Sequence, residues 1–287
     1  MFLLQLGLGG LLTAWCVLTP GISGKSLPGP AHFFSHGCKL DTKAPVNDDG
    51  YVGPIAIPFP LRFYRMKQSK LFLNTNGVLS FKAPFSTYTP ELFPQRNYAV
   101  IAPYWADVDT TANEGRIYYR ATKSTKYLDM TLSSIVRSAF GNTFKAKWAF
   151  IATWDQVTFY GGSNKTPRNT FQVVLMANKR ETYIIYNYGD ISWTTGKASG
   201  GDKYGLGGYP AEVGLNDGTA RRRYHALFES LTPDIVDVRT KTNCGCRGRY
   251  VFRVDQMEML SPEPPKFGRS RPVGPRASLK AKPKKKP

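Results

Sequence analysis

The stretch Leu71-Phe72-Leu73-Asn74-Thr75-Asn76-Gly77-Val78-Leu79-Ser80-Phe81 sets two apolar runs on either side of Asn-Thr-Asn-Gly. Asn-Gly in that setting predicts a tight β-hairpin, because both residues accept positive φ. The same alternation of apolar runs and turns recurs outward along the chain. Upstream, the turn Asp48-Asp49-Gly50 leads into Tyr51–Phe63, whose prolines at 54, 58 and 60 suit an edge or irregular strand. Downstream, strands are predicted at Tyr98–Val108, Gly115–Tyr119, Trp148–Phe159, Phe171–Ala177 and Tyr183–Tyr188. Glu212–Leu215, Tyr224–Phe228 and Arg249–Val254 complete the series. A single helix interrupts it. Leu128, Leu132, Ile135, Val136 and Ala139 fall on one helical face, and Gly141-Asn142 stops it. Many short strands and one helix predict a mostly β fold, an antiparallel β-sandwich with one crossover α-helix. Tyr104, Trp105, Trp148, Phe150, Trp154, Phe159 and Tyr160 are expected mainly in its core, rather than as a stacking platform for sugars or bases.

The flanks differ from this body. Met1–Leu18 is apolar apart from Gln5 and Thr13, and small residues follow at Ser23 and Gly24. That order predicts a signal peptide over 1–24. Retention as a membrane anchor is the alternative, since the run nears the roughly 18 residues that span a bilayer. Residues 25–37 read as a flexible leader, 38–100 as an N-terminal β segment packed with the main domain, and 101–258 as that domain. Residues 259–287 read as a disordered Pro/Lys-rich basic tail. From Ser261 onward seven prolines accompany nine Lys and Arg and one acid, so +8 of the formal +19 lies where no core can be buried.

A net charge of +19 points to polyanionic partners. The polyanion-binding candidates are Lys280, Lys282, Lys284, Lys285 and Lys286 in the tail, with Arg221, Arg222 and Arg223 at a hairpin end. Lys145 and Lys147 alternate with Ala146 and Trp148, so they share a strand face, read as solvated surface. Export makes heparan-sulfate-like glycosaminoglycans the matching polymer and argues against nucleic acid. Beyond Cys16 in the leading segment, Cys38, Cys244 and Cys246 remain, and three thiols cannot all pair within one chain. A bridge from Cys38 to Cys244 or Cys246 would tie the domain's start to its end, and a spare thiol could link two copies. The pairing stays open. Asn164-Lys165-Thr166 is a glycosylation sequon with Pro167 directly behind it.

Asp107 and Asp109 alternate on one strand face with Glu114 nearby, which makes the three a calcium candidate. The plainer reading has them capping a turn or pairing with Arg116 or Arg120. No P-loop or serine nucleophile elbow is present, so neither a cofactor nor an enzyme activity is expected. A hydrolase built on Asp107 and Asp109 is the minor alternative.

A set of ordered blocks resembles a known extracellular domain. They include Tyr104-Trp105-Ala106-Asp107-Val108-Asp109, Gly115-Arg116-Ile117-Tyr118-Tyr119-Arg120 and Ala152-Thr153-Trp154-Asp155-Gln156-Val157. Asn169-Thr170-Phe171-Gln172-Val173-Val174-Leu175, Trp193-Thr194-Thr195-Gly196 and Gly248-Arg249-Tyr250-Val251-Phe252-Arg253-Val254-Asp255 continue them. The chain resembles the nidogen (NIDO) domain family from roughly Ile101 to Glu258. The segment Asn74–Phe81 is similar to what precedes this domain in tectorin-type and sushi–nidogen–EGF-type members. The resemblance implies a secreted extracellular-matrix protein that acts in cell–matrix adhesion or matrix assembly by binding other matrix proteins, and not an enzyme. A membrane-tethered interaction module is the other reading.

Overall fold

The computed structural model describes residues 33–112, 114–219 and 223–262. Its first strands are β1 (Thr42–Lys43), β2 (Tyr51–Phe63), β3 (Met66–Asn74), β4 (Val78–Ser80), β5 (Val100–Trp105), β6 (Val108–Asp109) and β7 (Arg116–Thr122). After the helical segment come β8 (Trp148–Phe159), β9 (Asn169–Ala177), β10 (Thr182–Tyr188), β11 (Glu212–Asn216), β12 (Tyr224–Ala226) and β13 (Arg249–Arg253). One antiparallel sheet runs β1-β7-β8-β9-β10-β13, with β6 also paired to β8, and the other runs β12-β11-β5-β4-β3-β2. The mostly β sandwich predicted from the runs and turns is what the chain forms.

The hairpin that opened the reading is the β3–β4 connection, with Asn74 opposite Val78 and three residues between. Of those three, only Gly77 has positive φ, at 75°. A Cβ there would stand 1.8 Å from the Tyr104 carbonyl oxygen, so the neighbouring strand's approach requires glycine. Asn74 turns its side chain inward. Its amide donates to the Val78 carbonyl at 2.9 Å and its oxygen accepts the Phe85 N–H at 2.7 Å.

Between the sheets, Trp154 stacks on Phe171 with centroids 4.9 Å apart. The aromatic bodies are buried while their polar tips reach backbone carbonyls, as large amphipathic rings require. Tyr186 donates to the Gly214 carbonyl at 2.8 Å and Tyr188 to the Pro103 carbonyl at 2.7 Å, each crossing from one sheet to the other. Trp105 points the other way, into a second apolar cluster with Phe85 and Phe93, outside β5. Of the seven aromatics expected mainly in the core, only Tyr160 is exposed.

The helical segment joins β7 to β8, which are hydrogen-bonded neighbours, so it lies across the outer face of that sheet. Thr125–Tyr127 and Ser134–Phe140 are α-helical, and Leu128–Ser133 between them has π pitch. The Ser133 hydroxyl donates to the Leu128 carbonyl five residues back. The wider turn keeps Leu128, Leu132 and Val136, four apart, on the buried side, and leaves Ile135 and Ala139 only partly covered.

One expected boundary moves. Residues 33–37 do not behave as a flexible leader, because Phe34 and His36 are buried. The Phe34 backbone exchanges hydrogen bonds with the Gln172 side chain, at 3.0 and 2.9 Å. In the N-terminal β segment, β2, β3 and β4 share a sheet with β5, β11 and β12. Residues 1–24, 25–32 and 263–287, and with them Lys280, Lys282, Lys284, Lys285 and Lys286, lie outside the described residues. So do Arg221 and Arg222. Among the described residues no helix is long and apolar enough to cross a membrane.

Candidate functional site

Three loops converge where β8 ends at Phe159. The corner between β5 and β6 carries Asp107, whose carbonyl accepts the Tyr160 N–H at 3.0 Å. Asp109 on β6 stands opposite Thr158 of β8. The loop before β2 is stitched to that corner. Asn47 donates its N–H to Thr110 Oγ1 at 2.9 Å and accepts the Thr110 N–H at 3.1 Å. The β3–β4 turn closes the third side, since Thr75 gives both its N–H and its hydroxyl to the Gly50 carbonyl. Asn76 spans the two, donating to Asp49 Oδ1 at 2.7 Å and accepting the Val108 N–H at 2.9 Å.

This framework brings carboxylate oxygens of Asp48, Asp49 and Asp107 within 4.8 Å of one another. Asp107 is 2% exposed, and its Oδ2 has no hydrogen-bond partner among the described residues; the same is true of the buried Asp48 Oδ1. Gly196 packs directly against that carboxylate, where a Cβ would come within 2.2 Å of Oδ2. Burial, reinforced by the charges of Asp48, Asp49 and Asp109, pushes Asp107 up to about 7, with the Ala198 backbone N–H pulling weakly the other way. Burial, together with Asp109 and Asp49, raises Asp48 to about 6. Two buried oxygens without a partner among the described residues, close to a third carboxylate, disfavour the ionised form of each group.

The sequence-predicted trio is only partly kept together. Asp107 is central. Asp109 is buried beside the cluster, but its Oδ1 accepts the backbone N–H and the hydroxyl of Thr111, each at 2.7 Å, so it caps a turn. Glu114 is exposed and stands apart from the converging carboxylates, its backbone N–H on Asn164 Oδ1 at 3.1 Å. The missed members are Asp48 and Asp49, read from the sequence as turn formers. Arg120 does not neutralise Asp107 or Asp109; it holds Asp41 and the Ser35 carbonyl.

The other candidates scatter. Arg223 is mostly covered, with its Nε 4.0 Å from Asp217 Oδ2 and its Nη1 on the Tyr64 carbonyl, so it is not a free surface cation. Asn164 is exposed, and the sequon's Thr166 hydroxyl donates to the Ser163 carbonyl at 2.7 Å. Cys38, Cys244 and Cys246 are half-buried, Cys244 lying against the apolar cluster beneath the helical segment.

Residues 69–256 match the nidogen-like domain. The chain belongs to the NIDO family. It is 44% identical to human alpha-tectorin over 223 residues, which is 76% of this chain and 10% of that protein. It is 35% identical to Drosophila melanogaster nidogen over 208 residues, 69% of this chain and 15% of that protein. To mouse nidogen-2 it is 32% identical over 244 residues, 78% of this chain and 17% of that protein. It therefore spans less than a fifth of the length of these relatives. No solved structure matches it. The NIDO match begins inside β3, so Asp107 and Asn76 fall within it while Asp48 and Asp49 come from the segment upstream.

Proposed function

We propose that this NIDO domain is a non-enzymatic module of the extracellular matrix, acting in adhesion or matrix assembly by binding other matrix proteins. The observation that carries this reading is the kinship over three-quarters of the chain with alpha-tectorin. The ordered sequence blocks had implied the same setting. In that setting the loop end at Asp48, Asp49 and Asp107 takes a calcium ion. Calcium takes roughly six to eight oxygen ligands and accepts water among them. Three carboxylates with two unpartnered buried oxygens supply the anionic half of such a shell. The ion would pin the loop before β2 to the β5–β6 corner, fixing the shape of one end of the sandwich.

The test is deposition. The full chain, tagged at its C terminus, is expressed in cells that lay down a matrix, and the detergent-insoluble extracellular fraction is probed. The protein is expected there and in the medium. Confinement to the cytosol would overturn the reading.

A further inference from the structure

At the opposite end of β8 the chain builds a second, unrelated site. A surface cleft of about 720 Å³ opens between Phe59 of β2 and the far ends of β7 to β10. Five cations line it: Lys123 just past β7, Lys145 and Lys147 on the approach to β8, and Lys179 and Arg180 at the β9–β10 turn. No carboxylate lines it. All five are exposed, and none forms an ion pair among the described residues.

The local structure fixes where these charges point. Phe144, Ala146 and Trp148 are buried, so Lys145 and Lys147 between them project outward, about 7 Å apart by strand geometry. Lys147 donates its N–H to the Ala177 carbonyl at 2.8 Å, which locks this approach onto the end of β9. Asn178 caps the adjoining turn, its Oδ1 accepting the N–H of Arg180 and of Glu181, both at 2.8 Å. Glu181, the acid next in sequence, does not line the cleft; its carboxylate accepts from the Asn178 amide at 3.3 Å and reaches Arg253 at 3.4 Å. Five like charges drawn from three chain segments and left without counter-charge concentrate positive potential over a concave surface.

We propose that this cleft binds a sulfated glycosaminoglycan chain. The occupant follows from chemistry: a linear polymer repeating sulfate and carboxylate groups presents several anions at once to a row of cations, and releases counterions as it binds. The half-buried Phe59 ring offers an apolar floor for a sugar face. A membrane surface would need an apolar rim to insert, and the cleft's lining has no exposed large apolar side chain. This site is distinct from the tail lysines and from Arg223, and it rests on the extracellular reading above.

The experiment is affinity for a heparin oligosaccharide of defined length, measured on the intact chain across a salt series. Lys145→Ala, Lys147→Ala, Lys179→Ala and Arg180→Ala are combined in one variant. A charge-matched control combines Lys39→Ala, Lys82→Ala, Lys197→Ala and Lys203→Ala at exposed sites elsewhere. A third variant replaces the five tail lysines. The cleft variant is expected to lose at least about ten-fold in affinity at physiological salt. Its slope of log K against log salt should flatten by about 0.7 per cation, near 2.8 in all, if the single-strand value holds for this polymer. Equal loss in the charge-matched control would mean net charge alone acts, and would overturn the proposal. So would loss confined to the tail variant, or binding of phosphatidylserine vesicles that depends on the cleft while heparin binding does not. Because the assay uses purified protein, a null result leaves matrix deposition untouched, and failed deposition leaves the measured affinity standing.

Discussion

The two ends of β8 lie about 40 Å apart along a twelve-residue strand and handle charge in opposite ways. At the Phe159 end, carboxylates are drawn inward until two of their oxygens have no partner. At the Trp148 end, cations stand in water with no anion beside them. The first arrangement is short-range: a buried charge is poorly screened, and a single small ion with the right coordination relieves it. The second is long-range and soft, weakened by salt and relieved by any extended polyanion that can lie in the cleft. The proposed ion site and the proposed polymer site thus stand at opposite ends of one strand, where the sandwich keeps their charges from neutralising each other.

The largest effect should appear at the acidic end. With calcium about a hundred-fold above its Kd, binding to the folded form alone stabilises by about 2.7 kcal/mol. For a domain of this size that is roughly 5–11 °C in Tm. Differential scanning calorimetry in calcium against chelator measures it, and Asp107→Asn should abolish the shift. Asp109→Asn should keep most of it, because that side chain already caps Thr111. A melting point indifferent to calcium would remove the cation from the acidic end and with it half of the contrast.

Glu212 separates burial from clustering. It lies on β11, buried away from other acids, with the Phe93 backbone N–H pulling only weakly against the effect of burial. Burial raises it from 4.5 to about 8. The folded state therefore holds a proton that the unfolded state releases above about pH 4.5. The stability this confers is full below that value and is lost as pH rises toward 8. In saturating calcium, which keeps the aspartate cluster ionised, urea unfolding should weaken by about 2 kcal/mol from about pH 5 to about 6.5, near 1.4 kcal/mol per unit. Glu212→Gln should flatten that slope. An unchanged slope would show that Glu212 does not carry the pH dependence.

Sequence reasoning reached the sandwich because period-two alternation and turn chemistry are local. The Asn74–Phe81 hairpin, the aromatic blocks on β5 and β8, and the helical face at Leu128, Leu132 and Val136 all declare themselves within a dozen residues. The sites did not, because each is assembled by closure of distant segments. Asp48 and Asp107 are 59 positions apart, and hydrogen bonds between distant loops, such as Thr110–Asn47 and Asn76–Asp49, bring them together. Glu114, close in sequence, is carried off because β6 is two residues long and the chain then turns. The basic cleft was visible only as the Lys145/Lys147 alternation; its other cations come from the end of β7 and the β9–β10 turn. The docking of Phe34 was hidden by the Gly- and Pro-rich composition before it, although the signal was present in Gln172, a polar residue in the middle of an apolar strand that needed a partner.

The smallest effect tests the basic end without any ligand. If its five cations repel one another across the cleft, removing one should make the folded state slightly more stable. Lys147→Ala gives up an exposed side chain with no ion pair, so its packing loss is small and surface substitutions of this kind stay within about 0.5 kcal/mol. At low ionic strength the change should be a gain of a few tenths of a kcal/mol, and at about 1 M salt, where the Debye length falls to about 3 Å, it should vanish. Paired urea titrations at the two salt concentrations resolve the difference. A salt-independent loss instead would mean that Lys147 packs rather than repels, and that the positive potential over the cleft is weaker than the side-chain positions suggest. The acidic end sharpens the same measurement: its calcium response should survive the high-salt arm better than the lysine repulsion does, because Asp107 at its centre is buried while the lysines are exposed.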